Sequence, residues 1–146
     1  MARVRDHVRF HSPLFTPTGP EEGQINLGCF GRALAVWLRE QLTAVDVEVG
    51  EPVAEDWGWL LGATLHASHF GIGCANVDDS DSDWLVFVET VGPGILAKLF
   101  RRAPPNTDAA VALSRQIDAI LRAEPEITSL EWFQMDHRTG RETPPT

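Results

Sequence analysis

The chain has 146 residues, the size of one domain, and a chain of that length buries about two thirds of its unfolded surface in a single core. Hydrophobic residues make up 43% and charged residues 23%, with Gly 12 and Pro 10, which excludes a disordered, collagenous or repeat-type chain. Lys+Arg 12 against Asp+Glu 21 leaves a formal net charge of -9. That charge argues against a nucleic-acid backbone or an anionic membrane surface as partner and fits a basic protein better.

Arg3, Arg5 and Arg9 precede no apolar stretch of the kind a secretory signal carries, and no apolar run approaches the roughly 20 residues of a membrane helix. Two cysteines, Cys29 and Cys74, are too few for a disulfide framework, so two reduced thiols in a cytoplasmic protein are expected. All the basic residues but Lys98 are arginine, a bias that points to a GC-rich, bacterial source.

In chain order, Val8, Phe10, Leu14 and Phe15 suggest a short edge strand ended by Pro13 and the turn-forming residues 16–20. Asn26 is placed to cap a first helix, whose stripe is Leu27, Phe30, Leu34, Trp37, Leu38 and Leu42. Val45, Val47 and Val49 alternate as a strand that Pro52 ends. From Asp56 to His66 the odd positions are Trp57, Trp59, Leu61, Ala63 and Leu65, and the even ones are small or polar, so both tryptophans are expected on one strand face. Phe70, Ile72 and Cys74 continue the pattern after a turn at Ala67-Ser68, and Trp84 to Val91 closes a second hairpin. A short helix is expected over 95–102. A long helix opens at Asn106 or Thr107, with Ala110, Leu113, Ile117, Ile120 and Leu121 facing inward, and residues 127–133 form a last strand.

This order predicts an α+β domain over residues 1–136: a mainly antiparallel sheet with two long helices packed on one face, a two-layer sandwich. Residues 137–146 read as a flexible C-terminal tail.

Three clusters bear on function. Glu55, Asp56, Trp57 and Trp59 combine carboxylates with aromatic area that suits a recognition surface, although alternating Trp and Leu also describe an ordinary core strand. Asp78, Asp79, Asp81 and Asp83 offer oxygen ligands, but an EF-hand register puts Trp84 where Gly is required and Thr90 where Glu is required. Hence a solvated loop, or a negative patch for a cationic partner, is read instead of a metal site. Cys29 near a helix N-terminus, His69 as base and Asn76 or Asp78 as orienting group follow the Cys, His, polar order that papain-like and cell-wall peptidases use. They form the alternative reading, a Cys-His hydrolase. No nucleotide-binding or metalloprotease motif occurs, and no cofactor or metal is expected.

Three segments carry a resemblance: Ile25-Asn26-Leu27-Gly28-Cys29-Phe30-Gly31 with Leu34-Ala35-Val36-Trp37-Leu38, then Glu55-Asp56-Trp57-Gly58-Trp59, then Asp83-Trp84-Leu85-Val86-Phe87-Val88-Glu89. Together they resemble a group of small uncharacterised bacterial proteins, some of them similar to immunity proteins of toxin systems. The resemblance spans roughly residues 22 to 133. It assigns no chemistry to these motifs and does not reserve position 29 for cysteine. The resemblance therefore weighs against the hydrolase and leaves the partner unspecified; together with the net charge of -9, the expectation is a non-enzymatic protein-binding domain presenting acids to a basic partner, with oligomeric state open.

Overall fold

In the computed structural model, residues 6–17, 29–91, 107–136 and 141–142 are described. The element order is β1 (His7–His11), α1 (Arg32–Thr43), β2 (Glu48–Val49), β3 (Val53–Glu55), β4 (Gly58–Leu65), β5 (Ser68–Asn76), β6 (Asp83–Val91), α2 (Thr107–Ala123), β7 (Thr128–Phe133), β8 (Met135–Asp136) and β9 (Arg141–Glu142). Seven strands form one sheet in the order β2-β4-β5-β6-β1-β7, with β3 on β4. Every pairing in it is antiparallel. The fold is α+β, with a mostly antiparallel sheet and two helices.

Two-residue alternation selects the core face. On β5, Phe70, Ile72 and Cys74 are buried and lie beside Ala63, Leu61 and Trp59 of β4. Across β6 and β1 the row continues through Val86 and Val8, then Trp84 and Phe10. Helix α1 buries Leu34, Ala35, Leu38 and Leu42, and α2 buries Ala109, Ala110, Leu113, Ile117 and Leu121, each at helical spacing. Helix α1 packs on β2, β4, β5 and α2, while α2 packs on β6. Each fully buried leucine contributes about 1.5–3 kcal/mol of transfer free energy.

Several expectations change. β1 is interior, between β6 and β7; it ends at His11, before Pro13, so the missing N–H never enters the ladder. Phe15 lies beyond the strand and closes the core against Phe10, Trp37 and Trp84. Helix α1 starts at Arg32, after Gly31, and not behind Asn26. Asn26 and the helix expected over 95–102 lie outside the described residues. The valine strand shrinks to β2, because the turn after α1 puts Asp46 at φ 65 and leaves Val45 41% exposed. The β4–β5 turn is His66-Ala67, one residue earlier than expected, with both residues at positive φ as a type I′ turn requires. Finally, β8 and β9 pair with each other, so part of the expected tail carries a backbone ladder.

Candidate functional site

The Glu55-Asp56-Trp57-Gly58-Trp59 segment is a hairpin, not one strand: Glu55 pairs with Gly58, and Asp56-Trp57 is the turn. The turn breaks the alternation, so the two tryptophans part company. Trp59 is buried in the core, with the Arg32 guanidinium 5.9 Å from its ring. Trp57 instead lies half-buried, 5.0 Å from Phe87. Phe87 pairs in register with His7 and Gly73, on the sheet face away from Val86 and Val88. The expectation of two tryptophans on one face is thus corrected, for a turn needs no odd-even parity.

Gly58 sits at φ 157, and an added Cβ would stand 2.6 Å from the Cys74 carbonyl oxygen; at Gly31, φ 144, it would stand 2.5 Å from the same atom. No other residue type tolerates both the conformation and the contact. This double approach brings the start of α1 and the Asp56 turn together at the far end of β5. A third segment joins them there: the Asn76 side chain accepts the Phe30 N–H (3.0 Å) and donates to the Ser80 carbonyl (2.9 Å).

Ser80 belongs to the β5–β6 loop, which carries the four aspartates. Its hydroxyl accepts the N–H groups of Ser82 and Asp83 and donates to the Asp83 carboxylate, each at 3.1 Å. Ser12 N–H and Thr16 Oγ donate to the Ser82 and Asp81 carbonyls. Asp78 and Asp79 take φ 48 and φ 59, a region that Asp visits more readily than most residues. Asp78, Asp79, Asp81 and Asp83 are all exposed. The His11 ring donates through Nδ1 to Asp83 (3.0 Å), and this bond, followed by that from Ser80, holds the Asp83 carboxyl below its ordinary range.

The loop aspartates and the Glu55-Asp56 pair, some twenty residues apart in sequence, therefore occupy the same end of the sheet, Glu55 half-buried and Asp56 exposed. Carboxylates there, without intervening protein, repel one another over the roughly 8–10 Å that physiological salt leaves unscreened.

The Cys29, His69 and Asn76 set is divided. Half-buried Cys29 adjoins Phe30 and hence Asn76. His69 is seven positions from Asn76 on the same strand, about 23 Å at 3.3 Å per residue. An odd separation also turns the two side chains to opposite faces. His69 instead meets the Thr64 hydroxyl at 3.2 Å, and both polar ends of the Asn76 amide are taken by backbone. The other thiol, Cys74, is wholly buried, and desolvation pushes its pKa up.

Sequence reading missed a row of rings crossing the sheet on the Phe87 face: Trp57, Phe87, His7 and Phe133 stand 5.0, 5.4 and 5.3 Å apart in succession. The available signal was Gly73, since a glycine amid an alternating strand marks a close approach. Among the described residues no group of three His, Cys, Asp or Glu side chains is placed to hold a metal, and no helix is long and apolar enough to cross a membrane. The chain matches no family model, no curated protein and no solved structure.

Proposed function

We propose that the chain is a non-enzymatic protein-binding domain, of the immunity or antitoxin kind found in bacterial cytoplasm, that presents the acidic end of its sheet to a basic protein such as a toxin. One observation carries the reading: two acidic segments distant in sequence, Glu55-Asp56 and Asp78 to Asp83, meet at one end of the sheet. In this reading the two helices form the second layer of a sandwich on one sheet face. Trp57 supplies apolar area beside the acids, and the carboxylates steer a cationic partner into place.

The test is capture of partners from native cells at low and at raised salt with the parent protein and two doubly reversed variants. Asp56→Lys with Asp81→Lys alters the acidic end; Glu40→Lys with Glu48→Lys changes the same charge elsewhere. A basic protein held at low salt should be lost from the first variant and kept by the second. A complex indifferent to salt, or one surviving Asp56→Lys with Asp81→Lys, would overturn the reading.

A further inference from the structure

We draw no further inference here: the strongest candidate, the apolar patch of half-buried Trp57, Leu60, Leu85 and Phe87 on the sheet face away from Val86 and Val88, carries nothing, because nothing among the described residues shows what covers it.

Discussion

The ring of Phe87 fills the space where a side chain at Gly73 would stand, so that a Cβ built at residue 73 would fall among the ring atoms. Trp57 leans on the outer side of the same ring. The position of an aromatic beside the acidic end thus depends on a hydrogen atom on the neighbouring strand.

Gly73→Ala is expected to displace Phe87 and cost about 1–3 kcal/mol, as overpacking usually does. Urea unfolding gives the loss, and a change in Trp57 emission gives its cause. Gly62→Ala is the control, because nothing lies within 4 Å of a Cβ there, and it should stay within about 0.5 kcal/mol of the parent. Equal effects at the two glycines would contradict the packing described.

Gly31→Ala and Gly58→Ala should each cost about 1–3 kcal/mol through backbone strain alone, with a carbonyl contact added. Both crowd the Cys74 oxygen, so the double variant should depart from additivity, because either substitution forces the same strand end to move. Strictly additive losses in denaturant melts would mean that the two glycines do not share a neighbour.

The thiols should behave unequally. Cys29 is half-buried and Cys74 wholly buried with its pKa raised, so a thiol reagent near neutral pH should modify one group in the native protein and two in denaturant. Mass spectrometry after a short exposure identifies which. Native labelling of Cys74 at the rate of Cys29 would show that the sheet opens far more readily than its burial implies.

Asp83 makes stability depend on pH in a defined sense. Its native pKa lies below the ordinary 3.8, chiefly through the His11 bond. The unfolded chain therefore takes up a proton first, and this contribution is present above pH 3.8 and lost as pH falls through the native value. Denaturant midpoints of the parent and Asp83→Asn should differ at pH 6 and draw together as pH falls below 3.8. The convergence is the test; a gap that widens on acidification reverses the sign.

The helices and central strands could be read from the chain because local periodicity determines them: Leu34, Leu38 and Leu42 recur at helical spacing, and Phe70, Ile72 and Cys74 alternate. What could not be read was set by contacts or conformations without a local mark. His66, Ala67 and Ser129 take positive φ with no glycine or asparagine to announce it. Trp57 and Trp59 keep the parity of a strand although a turn separates them. The place of β1 between β6 and β7 is a pairing of distant segments, which alternation in residues 7–11 cannot specify. The acidic residues were visible individually, but their meeting at one sheet end follows from topology.

Asn76 grips the backbone on two sides, at Phe30 and at Ser80. A single amide is thus a crossbar between the segment leading into α1 and the aspartate loop. Whatever draws that loop outward also pulls on residues 29–31, and any loosening ahead of the helix slackens the loop.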